Sequence, residues 1–316
     1  MAFLTTDRVN LYLEGESVKP PYDGAFLGSI GNADTFNFAI LGDTHTHWTP
    51  EPDQPAQVTL DIIDEINVLR PDFVLSMGDL IRGYTTDEER LHVEHKGAKR
   101  LFGKLAMPFL PVLGNHDVRE EISDRIWREY WGARWYSFDF NDCHFVMLDS
   151  ETGKDWESIV DEQLEWLKKD LSANSGKRIF VGLHRPYWYQ RVLHKSEWKK
   201  DGRNDWNDIV DPILRQYDLQ AVFCGHIHFS EAQIRNEIPH IVTGGAGGDI
   251  GRPVEQGGVA HYTWVSVWPG GFTWSVILPG QIITSTRIME SASEAEGVGS
   301  DFTKLTPWVK TVEPPA

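Results

Sequence analysis

An α/β fold of two sheets packed face to face, with helices outside, is what this sequence predicts. Two observations carry it. From Phe36 to Leu113, apolar runs of strand type alternate with amphipathic stretches, the pattern of a partly parallel sheet covered by helices. From Phe229 onward the chain gives short strands with no comparable helix between them, which predicts that the second half contributes a more antiparallel sheet.

Phe36–Leu41 is the first short β-type run. In the stretch from Ala56 to Leu69, Val58, Ile62, Ile63, Ile66 and Leu69 recur at helical spacing, and Pro71 ends it. Phe73–Met77 is the next strand; a polar helix over 87–105 follows, with Thr86 as its cap. Pro111–Leu113 closes a third strand and Glu121–Trp131 reads as helix. Tyr136–Phe140 and His144–Asp149 pair across an Asn141-Asp142 turn. A helix over Asp161–Leu171 carries Leu164, Leu167 and Leu171 on one face. Strands Arg178–Leu183 and Ala221–Cys224 bracket an insert over 185–206 and a helix near 209–216. Five short strands close the chain between Ala232 and Arg287. The expected organisation is an extended N-terminal arm over 1–34, one domain over 35–290, and a loose tail over 291–316.

At 316 residues the chain can bury a large core, and its 41% hydrophobic and 24% charged residues are those of a globular protein. No stretch approaches the roughly 20 apolar residues needed to span a bilayer, so no membrane partner is expected. The start, Met1 to Asp7, lacks a basic segment followed by an apolar one, which makes the cytoplasm the expected location. Cys143 and Cys224 each lie in an apolar run and read as buried free thiols. A net charge of −17 argues against a stable nucleic-acid complex. The charge is uneven, however: residues 185–206 hold six Lys or Arg against three acids.

Five motifs carry chemistry: Gly42-Asp43-Thr44-His45, Gly78-Asp79, Gly114-Asn115-His116-Asp117, His184-Arg185-Pro186 and Gly225-His226-Ile227-His228. Each stands at the end of a strand-like run, where α/β sheets place ligand sites. A glycine there lets the chain turn sharply and deliver a polar side chain to the cleft. Asp, Asn and His are oxygen and imidazole donors, suited to Mn, Fe or Zn rather than to soft thiolate chemistry. Asp43, His45, Asp79, Asn115, His184, His226 and His228 supply seven donors for two divalent metal ions, with Asp79 able to serve both. His226 and His228 alternate along an extended segment and so point the same way.

In this order the motifs resemble the calcineurin-like metallophosphoesterase superfamily, over about Phe36 to Gly248. That resemblance implies a four-layer α/β/β/α sandwich, the metallophosphoesterase fold, with a dinuclear metal centre at the strand ends. It implies that Asp43, His45 and His228 hold one metal, that Asn115, His184 and His226 hold the other, and that Asp79 bridges them. His116 matches the family's catalytic histidine, which binds no metal and would protonate the departing alkoxide after a bridging hydroxide attacks phosphorus in line. Asp117 would orient His116 or, the favoured reading, cap the next helix.

Within the superfamily, purple acid phosphatases have a tyrosine three residues after the bridging aspartate; here that position is Arg82. Serine/threonine protein phosphatases have an arginine before Gly-Asn-His, where this chain has Leu113. The set is most similar to the bacterial-type phosphodiesterases. The expected activity is therefore hydrolysis of a small phosphate ester, a diester first, with a monoesterase or a non-catalytic scaffold as alternatives. Arg185, Tyr187, Trp188, Arg191 and Arg82 are candidates for binding substrate, by stacking or by holding a charged group; the alternative for the insert is a surface cap whose tryptophans bury for stability. His47, Tyr84, His92 and His95 have weaker claims. Gly244 to Gly248 lacks the following helix of a nucleotide fingerprint and reads as a tight loop against the site.

Overall fold

The computed structural model describes residues 25–30, 34–46, 55–151, 159, 161–188, 206–247, 250, 252–279 and 281–284. Two mixed sheets pack face to face and helices cover both outer faces. The first sheet contains β2 (Phe36–Leu41), β3 (Phe73–Met77), β4 (Phe109–Val112), β11 (Tyr262–Trp268), β12 (Gly271–Leu278) and β13 (Gln281–Thr284). Its order is β13-β12-β11-β2-β3-β4. The second contains β1 (Ala25–Ile30), β5 (Tyr136–Phe140), β6 (Cys143–Met147), β7 (Arg178–Gly182), β8 (Asp218–Cys224), β9 (Ser230–Arg235) and β10 (Ile238–Thr243). Its order is β1-β5-β6-β7-β8-β10-β9.

Strand periodicity sorts the side chains between layers. In β2, Phe36, Phe38 and Ile40 face the opposite sheet, while Ala39 and Leu41 face helices. In β7 the same alternation sends Phe180 between the sheets and Ile179 and Val181 outward. The inter-sheet layer is largely aromatic. Phe38 stacks on Phe73 at 5.0 Å and meets Phe145 edge-on at 5.4 Å, contacts that key the two sheets together.

Helices α1 (Gln57–Leu69), α2 (Glu88–Phe102) and α3 (Glu121–Tyr130) belong to the first outer layer. Helices α4 (Asp161–Ala173) and α5 (Asp211–Leu214) belong to the second, where a wide helical turn at Trp206–Val210 leads into α5. Helix α1 stops where Arg70 turns left-handed at φ 53°, just ahead of Pro71. The α2 cap is Asp87, which accepts from Arg90 N at 3.1 Å, rather than Thr86.

Two expectations change. The closing strands β11–β13 do not build the second sheet; β11 joins β2 antiparallel and extends the first. The second sheet instead has a parallel centre, β6-β7-β8-β10. Period-2 patterning marks a strand but not its partner, so sheet membership was not in the local sequence. Residues 25–30, within the stretch read as an arm, form a strand parallel to β5. No helix among the described residues is long and apolar enough to cross a membrane. Cys143 and Cys224 are buried and free.

On the outer face of β5 and β6, His144 lies fully buried between Asp139 and Asp170, at 2.7 Å from each. Lys177 also contacts Asp139, and Ser137 donates to Asp170. Burial disfavours the imidazolium, but the two carboxylates outweigh it and raise the His144 pKa above 6.5. A raised value contributes stability that is complete below the unfolded pKa and lost as pH climbs through the folded one. His144→Gln should therefore cost about 3 kcal/mol in urea unfolding at pH 6, and less as pH rises. A penalty independent of pH would show that His144 is neutral in the fold.

Candidate metal centre

Every motif occupies the C-terminal end of a strand in the parallel core of its sheet. Asp43 and His45 follow β2, Asp79 follows β3, Asn115 and His116 follow β4, His184 follows β7, and His226 and His228 follow β8. Because the two sheets face each other, these ends converge on one cleft. The turns are tight enough to force unusual backbone. Asp43, His45, Asp79 and His226 all lie in the left-handed region, at φ 56°, 39°, 55° and 71°. Such conformations cost energy in non-glycine residues and persist where the surroundings over-determine them. Gly78 is left-handed too, at φ 91°, and a Cβ there would lie 2.6 Å from His184 Nδ1.

Two groups of donors result, sharing one carboxylate. Asp43, His45, Asp79 and His228 bring their ligating atoms within 4.8 Å of one another, and so do Asp79, His184 and His226. In the first group His45 Nε2 is 3.2 Å from His228 Nε2 and 3.8 Å from Asp79 Oδ2. His228 Nε2 lies 3.4 Å from Asp43 Oδ1. In the second, His184 Nε2 is 3.0 Å from Asn115 Oδ1, 3.2 Å from His226 Nδ1 and 3.3 Å from Asp79 Oδ2.

The outward-facing atoms of these donors are pinned, which fixes the inward ones. His184 donates through Nδ1 to Met77 O at 2.7 Å, and His45 through Nδ1 to Ile81 O at 3.3 Å. Asn115 donates through Nδ2 to the Tyr84 hydroxyl at 2.5 Å, turning Oδ1 toward His184. Asp43 accepts the His226 backbone N–H on both oxygens, at 2.9 and 3.0 Å.

The electrostatics fit cations. Burial pushes His45 down to about 3, and burial with the nearby Arg185 pushes His226 well below 6.5, so both rings are neutral, the form that ligates. Burial also opposes charge on Asp79, yet the histidines around it, His184 first, outweigh burial and hold its carboxyl well below the usual range. His184 is driven up to about 10, burial notwithstanding, by Asp79, Asp43 and Glu151. Buried carboxylates here demand positive charge.

His116 stands beside both groups. Its backbone N–H donates to Asp79 Oδ1 at 2.8 Å, and its Nδ1 donates to Arg82 O at 2.6 Å. Nε2 therefore faces the cleft, 4.0 Å from Asp79 Oδ2. The ring packs on His45 at 4.4 Å and on Tyr84 at 4.1 Å.

Other expectations need correction. Tyr187 and Trp188 are 3% and 4% exposed; Trp188 packs edge-on to His240 at 4.7 Å, and Tyr187 donates to Ser150 O at 2.6 Å. Both pack into the α4 and α5 side of the core. Arg82 meets the site through its carbonyl, while its side chain is exposed. Arg185 does border the donors, and Arg191 and His47 lie outside the described residues. His92 and His95 are on α2, bonded to Tyr130 and Trp131 of the α3 region. Asp117 neither caps α3 nor touches the His116 ring in its bonds among described residues. It is fully buried and accepts from Gly114 N, Leu80 N and Ile81 N at 2.8, 2.9 and 3.2 Å, tying the β3 and β4 loops together. Gly244 does lie against the site, since a Cβ there would be 2.9 Å from Asp43 Oδ2. Glu151, bonded to Arg185, escaped notice, although it too lies just past a strand end, that of β6.

Fold and site together define a sandwich of two mixed sheets with a candidate two-metal centre at its strand ends. Residues 36–230 match the model of the calcineurin-like phosphoesterases, and the chain belongs to that family. It is 28% identical over 220 residues to purple acid phosphatase 22 of Arabidopsis thaliana, covering 61% of this chain and 44% of that one. It is 27% identical over 180 residues to a probable glycerophosphodiester phosphodiesterase GpdQ of Arcobacter nitrofigilis, covering 54% and 61%. The chain thus spans about half the length of these curated relatives. In structure it resembles purple acid phosphatase PPD1 of yellow lupin (TM-score 0.61, 16% identity), over 84% of this chain and 55% of that one, a likeness of fold.

Asp79→Ala should empty both metal positions, because among the described residues it alone appears in both donor groups. Metal analysis after reconstitution tests this; two retained equivalents would refute a shared carboxylate.

Proposed function

We propose that this protein is a metal-dependent hydrolase of small phosphate esters that prefers diesters. The observation carrying the proposal is the pair of donor groups joined by Asp79, with His116 Nε2 turned into the same cleft. Asp43, His45 and His228 would hold one divalent ion and Asn115, His184 and His226 the other. Manganese, iron or zinc suits this oxygen and imidazole set. Bound there, the two ions supply Lewis acidity toward phosphoryl oxygens and acidify water.

The chain's own residues do the rest. His116 is oriented by its Nδ1 bond to Arg82 O, so that Nε2 can hold a proton where a leaving alkoxide departs. Its packing against His45 and Tyr84 keeps the ring in that direction. The left-handed turns at Asp43, His45, Asp79 and His226 preorganise the donors before substrate arrives. The GpdQ likeness supports the diester preference. The purple acid phosphatase likeness supports a monoesterase as second reading, but Arg82 stands where a tyrosinate ligand would be required.

Two measurements test the proposal. Metal-reconstituted protein should hydrolyse bis-nitrophenyl phosphate faster than nitrophenyl phosphate; the reverse order selects the monoesterase, and no turnover of either rejects catalysis. His116→Ala should keep its metals while losing about 10²–10⁴-fold in rate on alkyl esters. It should lose much less on nitrophenyl esters, whose leaving group needs no proton. Equal losses would remove His116 from the acid role.

A further inference from the structure

Tyr84 occupies a strained position beside the metal donors. Its φ is 50°, directly after Gly83 at 54°. Left-handed backbone is an outlier for a bulky residue and persists only where the surroundings over-determine it. Here they do. Gly83 N–H donates to Glu94 Oε2 at 2.8 Å, and Glu94 is buried on α2. A Cβ on Gly83 would collide with the His116 carbonyl, so the loop is pressed against the motif that follows β4. The Tyr84 ring packs on His116 at 4.1 Å, and the Arg119 guanidinium lies 4.8 Å from the ring centroid. With all this support the side chain is still 51% exposed. Strain is being held for an aromatic residue that does not fill the core.

The hydroxyl shows what the strained turn delivers. Asn115 turns Oδ1 toward His184 Nε2 at 3.0 Å, which leaves its Nδ2 at the other end of the amide. An amide nitrogen only donates, and it gives a hydrogen to Tyr84 Oη at 2.5 Å. At this contact the hydroxyl is therefore an acceptor, and its own hydrogen must go elsewhere. Among the described residues this is the one hydrogen bond that Tyr84 makes. A phenol with a pKa near 10 keeps its hydrogen at neutral pH. Oη thus stands at the edge of the second donor group as an O–H donor with no described protein acceptor, on a side chain that solvent reaches.

We propose that the Tyr84 hydroxyl binds substrate, donating its hydrogen to a non-bridging oxygen of the phosphate ester beside Asn115, a role that rests on the dimetal hydrolase reading above. An ionised phosphoryl oxygen is the acceptor that such a donor stabilises most. Because the same ring lies against His116, the contact also sets the phosphoryl group relative to the proton donor.

The test is titration calorimetry of inorganic phosphate into protein carrying two equivalents of zinc and no excess metal, with metal content measured on the same samples. Tyr84→Phe removes one oxygen and leaves the ring in place. It should keep both metals and bind phosphate about 10- to 100-fold more weakly. Affinity equal to or above that of the wild type overturns the proposal. So does loss of a metal from Tyr84→Phe, which would make the hydroxyl a support for Asn115 instead. A wild type that takes up no metal, or that takes up two and binds no phosphate, overturns both this role and the hydrolase reading. A wild type with two metals whose phosphate affinity does not depend on the hydroxyl overturns only the role of Tyr84.

Discussion

The Asp79 carboxylate is the constraint around which the remainder is arranged. It is buried, it stands at a left-handed turn at the end of β3, and it faces His45, His116 and His184 at once. A lone buried carboxylate would be costly, and pairing with cations is what makes it tolerable. Every element in the cleft answers that demand. Histidines come from both sheets, since His45 follows β2 in one and His184 and His226 follow β7 and β8 in the other. The inter-sheet layer of Phe38, Phe73, Phe145 and Phe180 therefore has a chemical consequence: it holds the two sets of strand ends at a fixed separation.

Backbone crowding explains why the motifs are so short and so glycine-rich. The loops pass close enough that a side chain at Gly225 would begin 2.6 Å from Asp43 Oδ2. The same closeness lets main-chain groups do positioning that otherwise needs side chains. His226 N–H holds Asp43, His116 N–H holds Asp79, and Asp117 gathers three more backbone N–H groups. Strain at four donor residues is thus balanced by hydrogen bonds made within the same loops.

This division also explains what could be read from the chain alone. Strands, helices and the strand-end positions of the motifs were legible because each depends on a local signal: period-2 alternation, helical spacing, or a glycine beside a polar residue at a strand end. What depends on distant partners was not. The joining of β11 to β2, the burial of Tyr187 and Trp188, and the loop-tying role of Asp117 are set by residues tens of positions away. Trp188 is instructive, because aromatic residues after a candidate ligand suggest stacking, yet its ring faces His240 of β10. Position next to a site in sequence does not give access to it in space.

The donors differ in how they are supported, some by backbone and some by side chains. His45 and His184 are oriented by carbonyls of Ile81 and Met77, groups that no substitution can remove while the sheet survives. Asn115 and His226 are approached instead by side chains, Tyr84 and Arg185. Tyr84 is half-exposed and also covers His116, while Arg185 depends on Glu151 behind it. Changes at these positions can alter the amide or the imidazole they contact without disturbing the strands. A centre that holds some donors through backbone and others through side chains can keep its donor geometry while the side chains around it change.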